Sequence, residues 1–224
     1  NEEKSGGRQY WESTKAYLLG GVPPDAGFAN ISKIDLQNSR AFLAELGIGS
    51  THDRRAVKIA LEGGAGTGRV TEGLLSNIAE HIDVVEPVVK FTAGLQGKSK
   101  VRTVFNVGLD KWQSTEGVYY DLIWTQWCVG YLADSQLIDY LKHCKAAVTA
   151  DTGIIVLKEN LSFSDEDYVD PVDGSVTRSE ITFQEIIREA GLNIIRMDTQ
   201  RGLPKKLFPV RMYAMKPHKK EPTA

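Results

Sequence analysis

The stretch ALEGGAGTGRV, Ala60 to Val70, joins a β-rich run, AVKIALEGG, to the helical pattern VTEGLLSNIAEH. A glycine-rich turn between strand and helix lies at the ligand-binding edge of an open α/β sheet. Two phosphate-binding readings fail on spacing. A P-loop ends in Gly-Lys-Ser/Thr, and none follows here. A dinucleotide fingerprint needs G-x-G-x-x-G, but after Gly64 and Gly66 the third position is Arg69. The spacing present is Glu62-x-Gly64-x-Gly66-x-Gly68, followed at once by Arg69. A carboxylate at a strand end suits an amine or hydroxyls, and the two-pronged guanidinium suits a carboxylate. A ligand carrying both an ammonium and a carboxylate is an amino acid. Glu86 closes the next strand, about where such folds place an acid for ribose hydroxyls. An amino acid joined to ribose points to S-adenosylmethionine. The loop alone also fits a plain tight turn with solvated acids.

Outward from the loop, short apolar runs alternate with helical patterns. IDVVEP (82–87) reads as a second strand closed by Pro87, VRTVFNVG (101–108) as a third and YDLIWTQW (120–127) as a fourth. SQLIDYLKHCKAAV (135–148) is an amphipathic helix with Leu137, Tyr140, Leu141, Cys144 and Val148 on one face. GIIVLKEN (153–160) is a buried fifth strand, and ITFQEIIREAG (181–191) a helix ending at Gly191, suited to a left-handed cap. LNIIRMDT and VRMYAMK close the chain with no clear helix between them, which predicts an antiparallel hairpin. Strands separated by helices predict an α/β fold with a doubly wound, largely parallel, Rossmann-like sheet. Before residue 50, QYWESTKAYLLGG and SKIDLQNSRAFLAELG read as two helices joined by VPPDAGFAN. Ser32 can cap the second of these, with Asp35 near its N-terminus. One domain over 1–224 is expected: a helical extension (1–50) over one end of the sheet, an α/β core (56–216) and a mobile tail (217–224).

Composition narrows the function classes. The chain has 224 residues, 42% apolar and 25% charged, and a formal charge of −2. That balance gives no basic field for nucleic acid. No apolar run approaches the roughly 20 residues of a membrane span, and NEEKSGGRQYWES has no apolar signal-peptide core. Cys128 and Cys144 show no CxxC or Cys/His ligand spacing. Neither a disulfide framework nor a metal site is expected, and a reducing, cytoplasmic setting fits. His52, His81, His143 and His218 are scattered, which fits surface or structural duty.

QYWEST, GFANISKIDLQNSRAFL, LEGGAGTGRVTEGLL, DLIWTQWCVGYLAD, GIIVLKEN and DPVDGSVTRS together resemble the α-N-terminal protein methyltransferases. That family methylates proteins beginning Xaa-Pro-Lys once the initiator Met is removed. The resemblance runs from about Tyr10 to the final strands, and the segments around Trp127 and from Asn160 to Arg178 are far more specific than the glycine loop. It implies a seven-stranded class I methyltransferase fold. It implies an S-adenosylmethionine site at Gly64, Arg69, Glu86, Leu109 and Gln126, to which Glu62, Gly66 and Trp11 are added. It implies a peptide channel at Trp127, Asn160, Asp170, Asp173 and Ser175, partly roofed by Tyr10 and Trp11. The implied partners are Xaa-Pro-Lys N-termini, ribosomal proteins among them.

Each implied role has a chemical rationale. A protein α-amine has a pKa of about 7.7–8.0, so it needs one proton removed and an aligned lone pair more than strong activation. A carboxylate can hold the arriving ammonium, accept its proton and stabilise the charge left on the product. Asp173, which matches the family's catalytic acid, is assigned that role, and Asn160 offers an amide to orient the first residue. Trp127 can stack on a second-position proline, although a core tryptophan reads the same way on sequence alone. Asp170, helped by Ser175, would pair with the third-position lysine, while Asp165, Glu166 and Asp167 read as solvated. Three positions depart from the family pattern. Tyr131 stands where better-known animal members carry histidine, and tyrosine at neutral pH positions or donates but is a poor base. Glu62 and Glu86 replace aspartates, keeping the charge on a longer arm. Three other readings stay open: methylation of a small-molecule amine or internal side chain, a non-catalytic adaptor with this fold, and a dinucleotide reductase.

Overall fold

The computed structural model describes residues 28–218. Tyr10, Trp11, the expected helix over QYWESTKAYLLGG and the last six residues of the expected tail lie outside that range. The elements run α1 (Phe28–Glu45), β1 (Val57–Gly63), α2 (Arg69–Gly73), β2 (Ala79–Val85), α3 (Val89–Thr92), β3 (Val101–Phe105) and β4 (Leu122–Gln126). They continue with α4 (Asp134–Ala147), β5 (Ile154–Asn160), β6 (Tyr168–Val169), β7 (Val176–Thr177), α5 (Glu180–Glu189), β8 (Leu192–Thr199) and β9 (Val210–Pro217).

Seven strands form one sheet in the order β3-β2-β1-β4-β5-β9-β8. Pairing is parallel from β3 through β5, while β9 is antiparallel to both β5 and β8. The predicted α/β class, strand set and terminal hairpin are all present. β4 is buried along its whole length and β5 nearly so. Strands covered on both faces read as unbroken apolar runs, as these do. On one face, Leu137, Tyr140, Leu141 and Cys144 of α4 and Phe183, Ile186 and Ile187 of α5 pack over Leu61, Ile123, Ile155 and Tyr213. On the other, Phe42 and Leu43 of α1 join Ala60, Trp124, Val156 and Ala214.

Several boundaries differ from the sequence reading. The helix expected over 70–81 lasts only five residues, then gives way to a 3-10 turn at Leu75–Asn77, and β2 starts at Ala79. Leu74 departs from helical geometry (φ −125°, ψ −64°). The Gly73 carbonyl there accepts from Asn77 Nδ2 at 3.2 Å and from Arg40 Nη2. Helix α1 begins four residues before Ser32, so Ser32 is interior rather than a cap, and Asp35 faces the sheet with no exposed surface. The helix lies on a face of the sheet, not over one end. Its end is marked by Gly47, left-handed at φ +74°, with Ile48 N–H on the Leu43 carbonyl at 2.9 Å. The segment read as an acidic loop carries the small β6–β7 hairpin.

The strand order reverses between β1 and β4, which opens a crevice at their carboxyl ends. The glycine loop leaves β1 there, Glu86 follows β2, Trp127 follows β4 and Asn160 ends β5.

Candidate active site at the carboxyl edge of the sheet

Gly64, Gly66 and Gly68 all have left-handed φ, at +70°, +53° and +92°. At Gly64 an added Cβ would sit 2.4 Å from Cys128 Sγ, so glycine is required for packing as well as conformation. At Gly66 an added Cβ would meet nothing within 4 Å among the described residues, which leaves room for a ligand there. Glu86 fixes this loop from β2. Its Oε2 accepts from Gly66 N–H at 2.9 Å and its Oε1 from Val88 N–H at 2.9 Å. Burial pushes the Glu86 carboxyl upward against these two hydrogen bonds. Each oxygen keeps a further lone pair for a hydroxyl. Leu109 is buried beside Gly63, where an added Cβ would come within 3.3 Å of its Cδ2.

Glu62 points elsewhere. It is almost fully buried and accepts from the Thr71 hydroxyl, and burial pushes its carboxyl up to about 8. A group bonded inside the fold and protonated at neutral pH shapes the loop from behind. Arg69 does point to the crevice: its guanidinium lies 5.2 Å from the Trp127 ring centroid and gives Nη1 to Asp35 at 2.7 Å. Gln126 gives Nε2 to the same carboxylate, 3.0 Å from each oxygen, and accepts from Trp124 Nε1 at 3.0 Å.

Trp127 lies one residue past β4 with φ +52°, a conformation that costs a non-glycine residue about 1–3 kcal/mol. Three backbone bonds hold it there. Trp127 N–H meets the Lys158 carbonyl at 3.1 Å, and Cys128 and Val129 N–H both reach Glu159 Oε1, at 2.6 and 3.0 Å. Burial pushes the Glu159 carboxyl up to about 7 against these bonds. The strained turn carries the indole against Arg69. Its Nε1 is buried with no hydrogen-bond partner among the described residues, a donor available to a ligand carbonyl.

Past this turn, a 3-10 segment at Val129–Tyr131 abuts the β6–β7 hairpin. Gly130 permits the contact, since an added Cβ would stand 3.1 Å from the Val176 carbonyl. Arg178, almost fully buried, clamps the segment from the hairpin side with Nη1 on the Val129 carbonyl at 3.0 Å and Nε on Asp134 at 2.8 Å. Tyr131 then donates its hydroxyl to Asp173 Oδ2 at 2.7 Å, and Ser175 N–H reaches Asp173 Oδ1 at 2.9 Å. Partial burial would raise the Asp173 carboxyl, but the Ser175 and Tyr131 hydrogen bonds outweigh it and hold it below its usual value. Asp170 and Ser175 face each other across the hairpin, with Asp170 N–H on the Ser175 carbonyl at 2.8 Å. Asp170 Oδ1 also accepts from Val172 N–H at 2.7 Å, shaping the turn.

The structure therefore groups Gly64, Gly66, Arg69, Glu86 and Gln126 around one end of the crevice. It groups Tyr131, Asp173, Asp170 and Ser175 around the hairpin, with Trp127 meeting the first group through Arg69. Asn160 is the last residue of β5, its N–H 3.3 Å from Glu159 Oε2. Sequence reasoning passed over Glu159 and Arg178, which hold Trp127 and Tyr131, and read Asp35 only as a helix-terminal charge. The visible signal was Lys158-Glu159 inside an otherwise apolar strand. The donor set fits S-adenosylmethionine: a guanidinium for its carboxylate, a buried acid after β2 for its ribose, and no described residue within 4 Å of the Gly66 Cβ position.

Comparison with known proteins places the chain in a family. Residues 1–216 match the family described as AdoMet dependent proline di-methyltransferase. The chain is 42% identical over 216 residues to alpha N-terminal protein methyltransferase 1 of Schizosaccharomyces pombe, covering 93% of this chain and 94% of that protein. It is 34% identical over 220 residues to N-terminal Xaa-Pro-Lys N-methyltransferase 1 of Mus musculus, covering 93% and 96%. Among solved structures, a SAM-dependent methyltransferase of Leishmania major superposes with a TM-score of 0.83 at 31% identity, over 95% of this chain and 82% of that one.

Proposed function

The chain belongs to the AdoMet-dependent proline di-methyltransferase family, and from that premise we propose that it methylates the α-amino group of proteins whose N-terminus reads Xaa-Pro-Lys. The observation that carries this reading is the hydrogen-bonded Tyr131–Asp173–Ser175 group, which follows the turn that sets Trp127 against Arg69. S-adenosylmethionine, when bound, supplies an electrophilic methyl group on a sulfonium.

The chain's own residues place the acceptor nitrogen. The Trp127 ring offers a flat face to a second-position proline, and its orphan Nε1 offers a donor to the peptide backbone. Asn160 orients the first residue. Asp170, paired across the hairpin with Ser175, faces the third-position lysine. Asp173 holds the terminal nitrogen. Because hydrogen bonds keep its carboxyl low, Asp173 is ionised throughout the neutral range. In place of the proton acceptor expected from the sequence, it acts chiefly as a fixed negative charge that stabilises the positive charge arising on nitrogen during transfer. The proton is lost before attack, and an α-amine of pKa about 7.7–8.0 already has a neutral fraction at pH 7. Tyr131 contributes by orienting the carboxylate. Repeated transfer follows as each methylated amine loses its next proton, to a chemical limit of three methyls on a primary amine or two on an N-terminal proline.

Ribosomal proteins with such N-termini are the natural candidates in a cytoplasmic setting, which the free thiols Cys128 and Cys144 favour. Among the described residues no helix is long and apolar enough to cross a membrane. The selectivity test compares peptides beginning Ser-Pro-Lys, Ser-Ala-Lys and Ser-Pro-Gln under kcat/KM conditions. Loss of rate on either substitution is expected, and equal rates on all three would overturn the reading.

A further inference from the structure

Helix α1 buries Asp35, Ser39, Phe42 and Leu43 at helical spacing. The stripe changes character along its length. Phe42 and Leu43 enter the apolar cluster over Ala60, Trp124 and Val156. One and two turns earlier, Ser39 and Asp35 instead meet the only lysine buried among the described residues. Lys158 Nζ lies 2.5 Å from Asp35 Oδ1, 2.9 Å from Ser39 Oγ and 2.7 Å from Gln200 Oε1. Asp35 and Lys158 have no exposed side-chain surface.

Such a pair is a poor device for stability alone. Removing two charges from water is costly, and apolar side chains of similar volume are often as good or better. The other two partners of Asp35 give it a purpose. Arg69 Nη1 lies 2.7 Å from Oδ2, and Gln126 Nε2 lies 3.0 Å from both oxygens. With Trp124 Nε1 on its carbonyl oxygen, Gln126 is fixed at both ends of its amide. Several of the five guanidinium donors of Arg69 remain for a ligand. Charge balance works in the same direction. One carboxylate stands between two cations, so the cluster keeps a net positive charge, and Arg69 at 11% side-chain exposure is the cation that reaches the crevice.

We propose that Asp35 is a positioning residue of the methyl-donor site, through which helix α1 aims Arg69 and Gln126 at the amino-acid end of the cofactor. The inference rests on the assignment of Arg69 and Gln126 to the cofactor. It makes α1 part of the binding site without touching the ligand.

The test uses two ligands. S-adenosylhomocysteine carries the amino-acid end, whereas methylthioadenosine shares the adenosine and sulfur but lacks it. Dissociation constants by calorimetry for Asp35→Asn should rise about tenfold for S-adenosylhomocysteine, about 1.4 kcal/mol, and stay within about threefold for methylthioadenosine. Retained methylthioadenosine binding also reports that the site is folded. Should the lone Asn variant fail to fold, Asp35→Asn is compared with Asp35 in a Lys158→Met background, where the stranded ammonium is gone, and the same split is expected. In an Arg69→Met background, adding Asp35→Asn should cost less than about threefold, because the main arm it aims is already missing. Parental affinity of Asp35→Asn for S-adenosylhomocysteine would overturn the inference, as would equal weakening for both ligands. If Arg69→Met itself bound S-adenosylhomocysteine like the parent, the cofactor role of Arg69 would fall and this inference with it. If Arg69→Met weakened binding and Asp35→Asn did not, the inference alone would fail.

Discussion

Asp173 shows how a single side chain's surroundings decide between two chemical roles. A carboxyl meant to store a proton at neutral pH needs a raised pKa, which burial supplies to Glu62 and Glu159. Asp173 is only partly buried, and Ser175 and Tyr131 bond to its ionised form. Its value therefore lies in charge. Asp173→Asn keeps shape and removes that charge, so kcat should fall by about 10²-fold or more, with S-adenosylhomocysteine affinity unchanged by calorimetry. A parental kcat would remove Asp173 from the reaction. The proposed role of Asp170 is recognition. Asp170→Ala should raise KM about tenfold for peptides with lysine third and barely affect those with glutamine there, as steady-state kinetics on the two peptides would show.

The ends of β4 and β5 form the element that carries Trp127 in its strained turn. Glu159 holds two consecutive N–H groups there, and its pH behaviour gives a direct check. Burial pushes its folded pKa up to about 7, against about 4.3 for an unfolded glutamate. Between those values the folded state binds more protons than the unfolded state. Stability from this group is therefore greatest below about pH 4 and falls as pH rises to about 7, by about 1.4 kcal/mol per unit of pKa separation. Glu159→Gln removes that titration. Its unfolding free energy, by denaturant titration at pH 5, 6, 7 and 8, should gain on the parent as pH rises to 7 and then run parallel. A constant difference at all four values would contradict the buried, titrating carboxyl. This element was only half legible in the sequence. The apolar run LIWTQW gave the strand, because burial on both faces leaves a compositional trace. The left-handed tryptophan and its Glu159 anchor left none, because a positive φ outside glycine is imposed by long-range hydrogen bonds.

At the scale of the whole molecule, legibility follows the same division. The seven strands and the closing hairpin were readable because β-branched runs and glycine stops are local signals. The short helix after the glycine loop was not, since VTEGLLSN has helical periodicity that contacts at Gly73 and the early start of β2 override. The polar half of α1 read as a helix start capped by Ser32, and only the fold brings Lys158, Gln126 and Arg69 to Asp35. Of the site, the cofactor group and the hairpin acids came from motif and resemblance, while Glu159, Arg178 and Gly130 emerged from packing. The topology gathers these residues from loops far apart in sequence onto one carboxyl edge. On the proposed reading, the donor-facing group centres on Arg69 and the acceptor-facing group on Asp173. That arrangement predicts transfer to the end of a peptide chain. The most direct measurement is the intact mass of two peptides after incubation with the protein and S-adenosylmethionine. One begins Ser-Pro-Lys with a free amine, and the other is identical but N-acetylated. Gains in steps of about 14 Da, the mass of a methylene, on the free peptide alone are expected, and equal gains on both would place the methyl on the lysine side chain and contradict α-amine methylation.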